Sequence, residues 1–452
     1  MSDLSSRRLS DDAIDLSNVN PTELSPLTYK PTKEDTNVIL GGFICLGIGA
    51  QVTLNALIMG VAYFSFLGPT VIANFGLCVF SSSTIVMVIL IFVTKTTPGA
   101  QTMLTALDVA LSYQVFLALF VCSLAFSRGT VSGPTMYTMV CINGMATGVL
   151  NCFGASLSGL FSQYSFTRGA SGMQITGASV GIAIPTIIQL AMLFLPVTVS
   201  PRGSLMVLSL AAATCCFLGL VALRLLRQTS TLKSILADPT GLAMNHCKSG
   251  CNNIESDTVA KCMAGGENLR AVVFDRVSRL AFLSLGQVVN MSCNVFILGL
   301  APFVAVKYES SNAGLLTLLV SGANLCGTLG RGAGIRFPLQ QTALLCALVL
   351  LALSLAALVL QEATATADTT GDGEGQGQEQ GQGVTMAVVP VTTVYFIAAI
   401  STGYSLVAMS SKAQGLCSHS KEAICPLAGQ ITWLAIEAGS ITGMVLAKSL
   451  MA

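Results

Sequence analysis

The sequence predicts an all-α polytopic membrane protein of about eleven transmembrane helices, split six and five by a long polar loop. Three observations carry that expectation. Apolar runs long enough to cross a bilayer recur along the chain. Only 10% of the residues are charged, against roughly 25% in a soluble domain. The Lys and Arg residues fall overwhelmingly in alternate loops.

The composition is what lipid contact demands. Of 452 residues, 53% are hydrophobic, and an ionisable side chain at mid-bilayer costs roughly 2.5–3.5 kcal/mol on insertion scales. The 43 glycines suit membrane helices, which associate by close packing where no hydrophobic force draws them together. A net charge of +1 excludes nucleic acid as a partner, since phosphate binding needs clustered Lys and Arg. Most of the 15 cysteines, among them Cys45, Cys78, Cys152 and Cys216, lie in apolar runs, where a free thiol packs as a small hydrophobe.

A hydrocarbon core about 30 Å thick needs roughly 20 apolar residues per helix. Residues 1–36 are Ser/Asp-rich, contain no short apolar core of the kind a signal peptide has, and read as a disordered tail. Spans follow at 38–62, 70–94, 103–126, 131–161, 172–196 and 204–226, making a six-helix N-terminal bundle over 37–226. Residues 227–276 form a polar loop. Spans at 277–305, 313–334, 339–361, 386–410 and 425–450 make a five-helix C-terminal bundle over 277–452. Within it, 362–385 is Gly/Gln/Glu-rich and of low complexity, and reads as a disordered outer loop.

Cytoplasmic loops are enriched in Lys and Arg. With the N-terminus inside, 18 of the 22 basic residues face the cytoplasm and only Arg128, Arg202, Lys307 and Lys448 face out. This places the tail and the 227–276 loop in the cytoplasm. Two half-bundles joined by a cytoplasmic loop are the layout of a protein that rocks about a midplane site.

Two motifs suggest other chemistry and do not sustain it. His246, Cys247, Cys251 and Cys262 contain a single close ligand pair, whereas structural zinc takes paired ligands at short spacing. They read as loop residues, and neither a metal nor a cofactor is expected. Gly169-Ala170-Ser171-Gly172 has the form of a serine nucleophile motif, which requires a base within hydrogen-bond reach. The two histidines, His246 and His419, both lie in polar loops, so no enzyme activity is expected.

The spans do contain uncharged hydrogen-bonding side chains. Gln51 and Asn55 are one turn apart and share a helix face. Asn143 and Asn151 lie on the fourth span, Gln174 and Gln189 on the fifth, Gln287, Asn290 and Asn294 on the seventh, and Asn324 on the eighth. Amides in hydrocarbon are costly unless paired, so they point inward, either as interhelical glue or as solute contacts. Among the ionisable residues, Arg331 ends a Gly-rich run, Glu437 sits in the middle of the last span, and Asp108 lies near the start of the third. An intramembrane carboxyl such as Glu437 marks a functional site, as a proton site, a counter-ion or an ion-pair partner. Asp108 suits the positive end of a helix dipole. These residues predict a polar pathway for a small solute.

Specific segments resemble the equilibrative nucleoside transporter family. GIGAQVTLNALIMGVAYF (47–64) is similar to that family's first helix, with Asn55 on its Asn and Leu54 in place of its solute-packing Trp. INGMATGVLNCFGASLSGL (142–160) resembles its Asn/Gly-rich fourth helix, where Asn151 stands for a substrate-contacting Gln, and SGMQITGASVG (171–181) resembles the start of its fifth. AGQITWLAIEAGSITG (428–443) keeps the family's Ala-Gly opening and its Gly-xxx-Gly spacing at Gly439 and Gly443. The family's Asp-x-x-Gly-Arg motif becomes Gly327-Thr-Leu-Gly330-Arg331, with the Asp replaced by Gly. The resemblance implies a two-bundle, major-facilitator-like fold and alternating access, facilitative or proton-coupled, at the plasma membrane, with nucleosides or nucleobases as the solutes. It implies substrate contacts at Gln51, Leu54, Asn55, Asn151, Gly327 and Arg331, with Glu437 supplying the negative charge that Gly327 lacks. The alternatives are an organic cation such as choline, with Glu437 as counter-charge, or a membrane receptor or scaffold acting through its inner loop.

Overall fold

The computed structural model describes residues 33–67, 71–93, 100–127, 131–162, 170–193, 199–237, 269–308, 313–336, 380–417 and 424–451. These residues are almost entirely helical. In chain order the helices are α1 (Lys33–Met59), a short 3-10 helix (Val61–Leu67), α2 (Val71–Val93), α3 (Ala100–Ser127), α4 (Gly133–Ser162), α5 (Ala170–Leu193) and α6 (Pro201–Gln228), then α7 (Ser230–Ala237), α8 (Leu269–Tyr308), α9 (Ala313–Arg336), α10 (Gln380–Cys417) and α11 (Ile424–Met451). Among the described residues nine helices are long and apolar enough to cross a membrane: α1 to α6, α8, α10 and α11. The predicted span at 339–361 lies outside the described residues, as does the His246–Cys262 group.

The two halves share one packing scheme. In the first, α1 lies along α5 and α2 along α4; in the second, α8 lies along α11 and α9 along α10. Glycines set these seams. A methyl group at Gly177 or Gly47 would sit inside van der Waals contact of backbone across the α1–α5 seam, and Gly439 and Gly443 are as close to the α8 backbone. These close approaches therefore hold each half together internally, where small residues let backbones meet.

Local chemistry explains the helix ends. Helix α1 gives way at Gly60, where an added methyl would lie well inside van der Waals contact of Leu205 Cδ1. The following 3-10 turn seats Phe64 against Phe75, with ring centroids 5.5 Å apart. Ser200 caps α6 by accepting from the Gly203 amide at 3.1 Å, with Pro201 at the first helical position. Arg202 donates from Nε and Nη2 to the Ala125 and Phe126 carbonyls, covering the open end of α3. At the other end of the same helix pair, Arg227 Nη2 meets Asp108 Oδ2 at 2.5 Å. Asp108 is thus a structural ion-pair partner and not only a helix-dipole residue.

Three segments expected to be tail or loop are partly helical. Helix α1 begins at Lys33, inside the predicted tail, and α10 begins at Gln380, inside the predicted 362–385 loop. The 227–276 loop opens with α7, where the Thr229 hydroxyl accepts from the Leu232 amide at 3.4 Å and Leu232 is fully buried against the core around Leu223 and Leu226. It closes with the first turns of α8, which start at Leu269. Both are helical stretches too polar to register as bilayer-length apolar runs.

Candidate functional site

A cavity of about 140 Å³ lies where the two halves meet. A single water needs roughly 10–15 Å³ on this measure, so the space suits a small solute. Helix α1 contributes Gln51, Leu54 and Asn55; α8 contributes Asn294, α9 Asn324 and Arg331, and α11 Trp433 and Glu437. The α1 residues reach it because positions one turn apart share a face. The Asn55 amide also donates to the Gln51 carbonyl at 2.9 Å, which fixes its orientation.

Glu437 is 3% exposed. Its Oε1 accepts from Ser83 Oγ of α2 at 3.1 Å and from Asn151 Nδ2 of α4 at 3.3 Å, so a carboxyl of the second half is held by two donors of the first. Its Oε2 has no hydrogen-bond partner among the described residues. Arg331 is half-buried; its Nη1 donates to Ser179 Oγ of α5 at 3.4 Å while Nε is unpartnered. Further polar contacts cross between the halves, among them two from α11. Gln430 Nε2 donates to Ser156 Oγ at 2.6 Å, and Lys448 Nζ donates to Asn74 Oδ1 at 3.1 Å.

The structure sorts the residues singled out in the sequence. Gln51, Leu54, Asn55, Arg331 and Glu437 line the cavity together. Asn151 reaches it through its bond to Glu437. Gly327 does not line it. It packs against α10, where an added methyl would meet the Ala399 carbonyl at 3.6 Å and where Gly403 abuts the Gly327 backbone. An acidic side chain at 327 would therefore enter the α9–α10 seam. Of the other amides, Gln287 and Asn290 are glue: Gln287 donates to the Leu406 carbonyl at 2.7 Å and to Ser410 Oγ at 3.0 Å, and Asn290 donates to the Thr402 carbonyl at 3.0 Å.

Trp433 was not singled out as a site residue. It is the sole tryptophan, and it lies one turn before Glu437 on the same face of α11. That i, i+4 pairing was its legible signal. Ser83 and Ser179 carry no comparable signal, because hydroxyls are frequent throughout the spans. Among the described residues no group of three or more His, Cys, Asp or Glu side chains is placed to hold a metal ion.

A solute-sized cavity walled by both halves of a two-bundle helical membrane protein defines the class to which this chain belongs. It is similar to the crystal structure of a D-xylose-proton symporter, with a TM-score of 0.53 and 10% identity, covering 91% of this chain and 88% of that one. It is also similar to the xylose transporter XylE from E. coli in a partially occluded inward-open conformation, with a TM-score of 0.52 and 12% identity, over 92% and 96% of the two chains. At such identities the likeness is one of fold, and that fold is the major-facilitator-like two-bundle arrangement. No protein-family model matches the chain, and no curated protein matches it by sequence.

Proposed function

We propose that this protein is a membrane transporter that carries nucleosides or nucleobases by alternating access, the cavity being its solute site. One observation carries the reading: a cavity between two separately packed halves sets an indole beside four carboxamides, a carboxyl and a guanidinium. A flat heterocycle uses all of these. Its face stacks on Trp433, which for a base on an aromatic side chain contributes about 1–3 kcal/mol. Its edges hydrogen-bond to Gln51, Asn55, Asn294 and Asn324. Leu54 takes the position of the stacking Trp in the family this chain resembles, and Trp433 supplies an aromatic wall from the other half instead. The solved two-bundle structures it resembles are named as xylose transporters, which supports small-solute transport as the use of this architecture.

Trp433 with Glu437 favours a second reading, in which the solute is an organic cation held by cation–π attraction and by the carboxyl. Both readings place the protein in the plasma membrane, which surface biotinylation checks directly. The deciding experiment is uptake of labelled nucleosides into transport-deficient cells with verified surface expression, with unlabelled nucleosides, nucleobases, choline and D-xylose as competitors. Saturable uptake blocked by nucleosides or nucleobases is expected, with KM rising about tenfold in Trp433→Ala. Flux blocked by choline or D-xylose alone would replace the solute class.

A further inference from the structure

Arg331 and Glu437 are opposite charges in one cavity. Among the described residues the single ion pair is Arg227–Asp108, so neither is neutralised by the other or by a third side chain. Each is anchored on one side by hydroxyl or amide groups of the first half. Each also has one polar atom without a partner, Glu437 Oε2 and Arg331 Nε. A buried polar atom of a charged group that makes no hydrogen bond leaves its desolvation uncompensated. The pair therefore suits a molecule with one edge that accepts and another that donates.

Resting on the nucleoside reading above, we propose that the site selects 6-oxopurines of the guanine type. Guanine has an edge made only of acceptors, O6 and N7, which a guanidinium matches. Its neighbouring edge carries the N1–H and N2–H donors, which the free Oε2 of the carboxylate accepts. The flat ring between these edges lies on Trp433. Adenine cannot satisfy the same two charges. Its N6 amino group sits between the N1 and N7 acceptors, so each of its edges sets a donor beside an acceptor, an arrangement that carboxamides read better. Hypoxanthine keeps the O6/N7 edge and N1–H but lacks the N2 amino group, which places it between the two. A zwitterionic amino acid would match the charges but would leave the indole wall unused.

The test is competition against labelled inosine uptake in transport-deficient cells, with surface protein quantified, using unlabelled guanosine, inosine and adenosine against wild type and Glu437→Gln. In wild type, guanosine is expected to halve uptake at about one-tenth the concentration that adenosine requires, the factor one hydrogen bond to a charged group gives. In Glu437→Gln that ratio is expected to fall towards one, since an amide offers a donor as well as an acceptor. Should the variant fail to reach the surface, the wild-type ranking decides alone. Adenosine competing as well as guanosine would overturn the proposed selectivity and leave nucleoside transport standing. Absence of labelled inosine flux at verified surface expression, with labelled guanosine and adenosine run alongside and likewise not taken up, would overturn the nucleoside reading and this inference with it.

Discussion

The two halves of the molecule use one packing plan and divide the chemistry between them. Both set their first helix along their fifth-type partner through glycine seams, α1 on α5 and α8 on α11. Yet the two charges and the indole of the cavity all come from the second half, on α9 and α11, while the first half contributes carboxamides from α1. The first half also supplies the groups that hold those charges: Ser83, Asn151 and Ser179. The difference teaches where mobility is allowed. Within each half the glycine seams bring backbones together, whereas the polar contacts between halves are made by side chains, which can be exchanged for solute or water. The alternating access proposed above needs that division, because rigid bodies must rock about a seam that can break.

The strongest way to break the comparison is to overfill a seam in each half. Gly177→Val places side-chain atoms against the Ile44 carbonyl, and Gly439→Val places them against the Val288 carbonyl. Overpacking of a tight core costs about 1–3 kcal/mol or more. Both variants are therefore expected to lose most of the monodisperse, detergent-solubilised protein on size-exclusion chromatography. Gly172→Val, with nothing within 4 Å of the added atom, is expected to behave as wild type. A well-folded Gly439→Val beside a misfolded Gly177→Val would show that the second half is the looser body, contrary to the shared plan.

A smaller effect sharpens the comparison at the amides. Gln287 spends its NH2 group on two acceptors of α10, the Leu406 carbonyl and Ser410 Oγ, while Gln114 in the first half donates to the Thr147 hydroxyl alone, at 3.2 Å. Interhelical hydrogen bonds in membranes average about 0.6 kcal/mol. Gln287→Met is therefore expected to lower the thermal midpoint about twice as far as Gln114→Met, measured by fluorescence-detected melting of the purified protein. Equal shifts would show that the two halves hold their inner helices with equal strength despite the unequal bonding.

Much of the fold was legible because bilayer thickness imposes a length on every apolar run. The polar helices were not. In α7, Leu232 is driven into the core between the buried Thr231 and the exposed Lys233, and a hydropathy run does not resolve so short a buried stretch. The polar lining of the cavity was legible where polarity in an apolar run is its own signal: Gln51, Asn55, Arg331 and Glu437 stand out against their neighbours and meet at one cavity. Gly327 was misplaced because a glycine carries no side chain to reveal its face, and in a Gly-rich helix the face is chosen by the partner, here Gly403 of α10. The partners of Glu437 and Arg331 were beyond reach for a different reason. Ser83 lies 354 positions from Glu437 and Ser179 lies 152 from Arg331, and such pairings exist only once the halves are packed.

The smallest expected effect concerns a charge pair that belongs to one half only. Asp108 and Arg227 join α3 to α6 with side chains 27% and 30% exposed. Partial exposure screens the attraction, and exposed pairs contribute about 0.2–1 kcal/mol. Asp108 Oδ1 and Arg227 Nε are also unpartnered, so the pair is not reinforced by a wider network. Asp108→Asn is therefore expected to shift the melting midpoint only slightly and to leave solute competition unchanged. The shift should shrink further when the salt concentration is raised, because screening already weakens the wild-type pair. A loss of transport without a loss of stability would contradict this, and would mean that the inner end of α3 takes part in the rocking motion. The first half would then hold a working charge of its own, and the division of chemistry between the halves would no longer stand.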